Sequence, residues 1–144
     1  MTRLEDFLKL NKNRQICTIS KDQSVMQALT LMSEKNIGAI IIVDNNAFPI
    51  GIFSERDYAR MITLKGKSSK DTLLDEVMTK KLVTVTRDDK IDQCMEIMTE
   101  KKIRHLPVLE NKKIIGIISI RDVLKIMIEE QKELINHLQK FITS

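Results

Sequence analysis

A seven-residue phrase occurs twice in this chain, and it limits what the chain can fold into. Gly51-Ile52-Phe53-Ser54-Glu55-Arg56-Asp57 returns sixty-five residues later as Gly116-Ile117-Ile118-Ser119-Ile120-Arg121-Asp122. Both copies keep the Gly, an apolar second residue, the Ser, the Arg and the Asp. Each reads as the end of a buried strand running into the first turn of a helix. Upstream, Thr84, Asp88, Met98, Glu100, Lys101 and Ile103 repeat Thr18, Asp22, Met32, Glu34, Lys35 and Ile37 at a spacing of 66 residues. The spacing drops by one at Glu110-Asn111-Lys112-Lys113, a turn one residue shorter than its counterpart. A single deletion placed at a turn is what a duplicated unit tolerates, so the chain is a tandem repeat.

The elements of one unit follow from pattern. Ile16-Cys17-Thr18-Ile19 is a short strand. Asp22 to Ser24 can start a helix that carries Val25, Met26, Leu29, Met32 and Ile37 at helical spacing. Ile37 to Asp44 is continuous and β-branched, a buried strand. Asn45-Asn46 is a turn, Phe48 to Phe53 the paired strand, and Ser54 to Thr63 the closing helix. This predicts an α/β (α+β) fold of two β-α-β-β-α repeats about a pseudo-twofold axis. The first repeat spans 16–64 and the second 82–128, joined by a polar linker over 65–81 in which Leu74 to Thr79 is a short helical lead. Residues 1–15 form an N-terminal arm. Leu4, Phe7, Leu8 and Leu10 lie there at near-helical spacing, with Thr2 as the expected cap, and the arm packs on the main body or on a second subunit. Residues 129–144 extend the last helix. Leu124, Met127, Ile128, Leu134, Ile135, Leu138, Phe141 and Ile142 give it an apolar stripe on a charged background, more surface than two small repeats can cover, which predicts a subunit contact.

Composition narrows the function class. An apolar share of 42 % supports a core, and aromatics at 3 % make that core aliphatic, with the methionines as packing. A length of 144 residues fits one compact domain. The net charge of +4 is spread over mixed signs, the pattern of a solvated surface rather than a nucleic-acid footprint. Cys17 and Cys94 are not at metal-ligand or redox-motif spacing, which fits a reduced, cytoplasmic protein. The apolar runs are too short to span a bilayer, and the N-terminus lacks a signal-peptide core.

The chemistry-bearing residues sit in the repeated phrase. A Ser followed three residues later by an acidic residue suits a helix-capping box, and capping alone accounts for each pair. The same positions also suit a ligand. The pattern is present in both units, an Arg that capping does not require sits inside it, and the upstream Gly permits close backbone approach. An Asp at such a turn can accept both hydroxyls of a ribose, as acidic residues do in other nucleotide folds. A Ser hydroxyl with helix N-terminal amides suits phosphate, and Arg56 and Arg121 can pair with phosphate oxygens. Apolar strands around Ile40, Ile41, Pro107 and Val108 offer flat walls for a purine. Lys65-Gly66-Lys67 reads as solvated linker, and His137 as surface.

These residues resemble the paired cystathionine-β-synthase (CBS) domain, or Bateman module, over Ile16 to Ile128. Both copies match its G-φ-x-[ST]-x-x-[DN] motif, and the second unit adds Ile103-Arg104-His105-Leu106-Pro107-Val108. Ser54 to Arg60 and the C-terminal Leu138 to Thr143 look like the small stand-alone CBS-pair proteins, IMP-dehydrogenase-like or CBSX-type. The resemblance implies an energy-sensing regulatory module that binds AMP, ADP, ATP or NAD(H), more rarely S-adenosylmethionine, in the cleft between the repeats. It implies a homodimer acting on an unidentified partner protein. Asp57 and Asp122 are then the ribose binders, Ser54 and Ser119 face phosphate or ribose, and Thr18 and Thr84 border the adenine. Arg104 and His105 face the phosphates, although a His beside an apolar strand is also commonly structural. The first copy has Gly38-Ala39 in place of Arg-His and no match for Pro107, so the two sites are not equivalent. A structural dimerisation module whose Ser-Asp pairs are only caps remains open. An enzyme is the weaker reading, since no Cys loop, G-x-S-x-G, P-loop or HExxH is present.

Overall fold

The computed structural model describes residues 2–143. Its contacts divide the chain into two compact units, each with its own core. The split does not follow the repeats in chain order. The unit built on the first repeat comprises Gln15–Val83 with Asn111–Ile114. The unit built on the second comprises Thr84–Glu110 and the chain from Ile115, together with the arm up to Arg14.

In the first-repeat unit, β1 (Thr18–Ser20), β2 (Ala39–Val43) and β3 (Pro49–Ser54) form a sheet in that order. β1 runs parallel to β2, with Thr18 opposite Ile41, and β3 runs antiparallel to β2, with a register shift at Ile42/Val43. The central strand is buried from Ala39 to Ile42, which is why it reads as an unbroken apolar run rather than an alternation. Helix α2 (Val25–Lys35) starts at Ser24. The Ser24 hydroxyl accepts the Gln27 amide at 3.1 Å while the Gln27 side chain accepts the Ser24 amide at 2.8 Å, a reciprocal cap. It buries Val25, Ala28 and Met32, one helical stripe, and ends on Asn36 in the left-handed conformation. These residues pack with Ile40, Ile42, Phe53, Ile62, Leu74, Val77 and Met78 in one core. Leu74 and Val77 belong to α4 (Leu74–Val77) in the linker. The stretch after it pairs with β3: the Ile52 amide donates to the Thr79 carbonyl at 3.0 Å and the Thr79 amide to the Ile52 carbonyl at 2.9 Å. The sheet edge is thereby covered.

Four local expectations change. The closing segment is not one α-helix: α3 (Glu55–Asp57) is a single turn that widens into a π-helix over Tyr58–Thr63, with Leu64 N–H reaching back five residues to the Ala59 carbonyl. The opening strand begins at Thr18 instead of Ile16, and β2 begins at Ala39 instead of Ile37. In the arm, Arg3 and not Thr2 is the N-cap of α1 (Leu4–Leu10), and Asp6 accepts the Arg3 amide.

The second-repeat unit repeats the plan with less sheet. Helix α5 (Ile91–Lys101) buries Ile91, Cys94 and Met98, each 66 residues after its α2 counterpart, and ends on left-handed Lys102. β4 (His105–Glu110) and β5 (Lys113–Ser119) form a hairpin, with Asn111 and Lys112 both at positive φ, the conformation of a two-residue type I′ turn. The expected opening strand is reduced to one parallel bridge, Val85 with Val108. Val85 donates to the Pro107 carbonyl at 3.1 Å and accepts from Leu109 at 2.9 Å. One step further along the ladder, residue 107 would have to donate to Val83, and a proline has no N–H to give.

The arm seats in this unit. Leu4 and Phe7 are buried, Leu4 and Glu5 donate to the carbonyls of Asp89 and Arg87, and the Thr2 amide donates to Glu130 at 2.8 Å. Helix α6 (Ile120–Thr143) packs on α5 and buries Val123. Beyond Glu130 it is exposed along its whole length, Leu134, Ile135 and Leu138 included.

Candidate functional site

Each unit presents its Ser-Asp turn at the same place, where the last strand of its sheet enters a helix. In the first, the Ser54 amide and hydroxyl donate to Asp57 Oδ2 at 2.9 and 3.1 Å, and the Asp57 amide donates back to Ser54 Oγ at 3.2 Å. In the second, the Ser119 amide and hydroxyl donate to Asp122 Oδ2, both at 2.9 Å, and the Asp122 amide donates to Ser119 Oγ at 3.1 Å. The capping box is therefore made twice, and it consumes one carboxylate oxygen of each Asp.

The other oxygen distinguishes the turns. Asp57 Oδ1 accepts the Thr79 hydroxyl at 3.4 Å, a long O–H···O contact that another hydroxyl can replace at small cost. Asp122 Oδ1 accepts Arg14 Nη2 at 3.3 Å, while Arg14 Nη1 reaches Oδ2 at 3.1 Å. Burial pushes the Asp122 carboxyl up, but the Arg14 hydrogen bonds, the Ser119 amide and hydroxyl, and the Arg14 charge outweigh it, so the carboxyl sits below its ordinary value.

The remaining residues singled out from sequence are placed as follows. Thr18 is half-buried in β1, and Thr84 is exposed just before the Val85 bridge. Ile40 is fully buried in the first-repeat core. Pro107 is buried in β4, and its carbonyl takes the Val85 amide. His105 opens β4, half-buried. Arg104 is exposed, its carbonyl accepting the Ile120 amide at 2.8 Å. Arg56 is half-buried in α3, whereas Arg121 is exposed on α6.

Sequence reasoning missed Thr79, Arg14 and Asn11, which lie in the lead-in segments rather than in the motif. It also gave the motif glycines a ligand rationale, and the structure supplies a nearer one. A Cβ on Gly51 would lie 2.5 Å from Met78 Sδ and 3.1 Å from the Thr79 carbonyl oxygen, and one on Gly116 would lie 2.5 Å from Leu8 Cδ2. Both glycines make room for the segment that precedes a repeat: α4 and its continuation in one unit, α1 in the other.

A tandem α/β chain with this turn in both halves matches one family model. The CBS domain model covers residues 6–63 and 74–129. The chain belongs to the CBS domain family. Among curated relatives, the mitochondrial CBS domain-containing protein CBSX3 of Arabidopsis thaliana is 39 % identical over 126 residues, 84 % of this chain and 61 % of that protein. This chain thus spans about six-tenths of CBSX3. A solved Burkholderia ambifaria protein with CBS domains is 43 % identical with a TM-score of 0.84, covering 90 % of this chain and 96 % of that one. The CBS domain pair of protein MJ0100, solved with 5′-methylthioadenosine and S-adenosyl-L-methionine, shares the fold at a TM-score of 0.78 and 23 % identity, covering 90 % and 98 %. Among the described residues of this CBS pair, no helix is long and apolar enough to cross a membrane.

Proposed function

We propose that this CBS pair is a regulatory module that binds an adenosine compound at its Ser-Asp turns and passes the bound state to another protein. The observation that carries the reading is the second carboxylate oxygen of Asp57. The cap does not use it, and it accepts the Thr79 hydroxyl across a long 3.4 Å contact. A ribose brings the hydroxyl donors that such an oxygen accepts. That MJ0100, a neighbour in fold, is solved with two adenosine ligands supports the choice of ligand class.

AMP, ADP, ATP or NAD(H) is the expected ligand. In that assignment Asp57 and Asp122 take ribose hydroxyls, Ser54 and Ser119 lie toward ribose or phosphate, and Arg56 and Arg121 pair with phosphate. Thr18, Thr84 and Pro107 belong with the adenine and Arg104 and His105 with the phosphates, while Ile40, expected beside the purine, is taken up by the first-repeat core. The module is regulatory rather than catalytic, since both hydroxyl bonds of each motif Ser are those of a cap. It acts in the cytoplasm as a homodimer joined through α6, where Phe141 and Ile142 are 78 % and 79 % exposed and continue the stripe of Leu134, Ile135 and Leu138. Leu138→Glu should convert the dimer to monomer on a sizing column with light scattering.

Thermal shift and calorimetry with AMP, ADP, ATP, NAD, NADH and S-adenosylmethionine test the ligand. A compound at 100 times its dissociation constant should add about 2.7 kcal/mol, and Asp57→Ala should abolish part or all of that gain. If no adenosine compound binds at millimolar concentration, the turns are caps alone and the module is a structural dimerisation unit.

A further inference from the structure

The two Ser-Asp turns present different chemistry to a ligand, and the difference comes from one side chain outside both motifs. Arg14 ends the arm, and its guanidinium clasps Asp122 through two nitrogens, at 3.1 and 3.3 Å. The same guanidinium donates from Nη2 to Asn11 Oδ1 at 3.0 Å and stands 5.4 Å from the centre of the Phe7 ring. Phe7 is buried, and the Asn11 side chain donates to the Phe7 carbonyl at 2.9 Å. Arg14 is therefore held on a seated arm rather than swinging from a loose end. The clasp uses Oδ1 as well as Oδ2, so it covers the oxygen that at Asp57 accepts the Thr79 hydroxyl.

We propose that Arg14 is a specificity-determining residue of the Asp122 turn, closing it to neutral nucleosides and opening it to ligands that carry an anion. This rests on the reading that the turns bind adenosine compounds. A nucleoside offers Asp122 two hydroxyls in exchange for a guanidinium, and Arg14 is left with no anion in return. A nucleotide offers the hydroxyls and also a phosphate, whose oxygens match the guanidinium fork as well as a carboxylate does. Held by Phe7 and Asn11, the released guanidinium stays beside the turn and meets that phosphate. A half-exposed bidentate pair of this kind alters affinity by about two- to fivefold. At the Asp57 turn the same oxygen meets a neutral hydroxyl, so no clasp has to be released before a nucleoside binds.

The test uses the full chain with Asp57→Ala to silence the first turn, and compares it with the Asp57→Ala/Arg14→Gln double variant. Adenosine and AMP are titrated by calorimetry, and circular dichroism checks that both variants are folded. The expected result is that Arg14→Gln raises adenosine affinity about two- to fivefold and lowers AMP affinity by a similar factor, so the AMP preference collapses. Adenosine binding that appears only in the double variant also supports the clasp. An AMP-to-adenosine ratio unchanged by Arg14→Gln overturns the proposal. So does the absence of binding by either Asp57→Ala variant while the unsubstituted chain binds, and in that case the sensor reading survives on Asp57 alone. If the unsubstituted chain binds neither compound, this proposal fails, and the titrations with ADP, ATP, NAD, NADH and S-adenosylmethionine decide the sensor reading separately.

Discussion

Gly51 and Gly116 occupy equivalent motif positions, yet the structure gives alanine at the two sites unequal costs. At Gly51 the new methyl meets Met78 Sδ at 2.5 Å and Cγ at 3.0 Å, and also the Thr79 carbonyl oxygen at 3.1 Å. Met78 can turn away, but the Thr79 carbonyl accepts the Ile52 amide and its own amide donates back, so the backbone is pinned on both sides. Overpacking against such a wall costs about 1–3 kcal/mol. The loss of glycine freedom from the unfolded chain returns about 0.4–1 kcal/mol, leaving a net destabilisation of about 1–2 kcal/mol. At Gly116 the only close neighbour is Leu8 Cδ2, the tip of a half-buried side chain that can change rotamer. There the two effects nearly cancel, and Gly116→Ala should fall within about 0.5 kcal/mol of the parent. Urea unfolding followed by circular dichroism measures both, read as midpoint shifts at constant slope. A Gly116→Ala cost equal to or above that of Gly51→Ala would refute the packing argument. So would a Gly51→Ala protein of parental stability that has lost ligand binding, since the glycine would then serve the ligand and not the lead-in segment.

Ser54→Ala and Ser119→Ala each remove a made cap and should cost about 1 kcal/mol by the same urea assay, whether or not a ligand binds. Asp122 titrates below its ordinary value when folded, so its ionised form stabilises the fold above the unfolded carboxyl pKa, and that stability is lost as pH falls through the folded pKa. Arg14→Gln removes part of the depression, and the acid limb of a stability-against-pH curve should become shallower; an unchanged limb would mean that the ion pair contributes nothing. Cys94 is fully buried and its thiol is pushed up to about 11, by burial first and then by Asp89 and Asp92. Iodoacetamide at pH 8 should leave Cys94 unmodified until urea unfolds the chain, with mass spectrometry locating the label.

The repeat, the presence of α2 and the hairpin turns were legible because periodicity and turn chemistry are local. Val25 and Met32 of the expected stripe are buried and Ser24 lies at the helix start, but Met26 is exposed and Ala28 takes the buried place between them. What was not legible depends on segments distant in sequence. Pro107 shortens a ladder whose other side lies more than twenty residues upstream, and nothing in residues 82–85 reports this. The π-helix over Tyr58–Thr63 keeps the composition of an α-helix. Arg14 and Asp122 are 108 residues apart, and only the seating of the arm brings them together. The Ser-Asp motif located the turns but could not show that one carboxylate is already clasped.

The helix that precedes each repeat is packed with the other repeat. Helix α1 comes before the first repeat but is counted with the second, and α4 comes before the second but is counted with the first. Duplicated sequence and folding unit are thus out of phase by one helix. A clone cut after Gly66 to isolate one copy would retain α1 without the strands it lies on, and would leave α4 on the discarded half. Neither half should fold cooperatively by itself, whereas the two expressed together carry every piece and should reassemble. Such a duplication is held together as an exchange of arms, and it can lose neither copy and remain a protein.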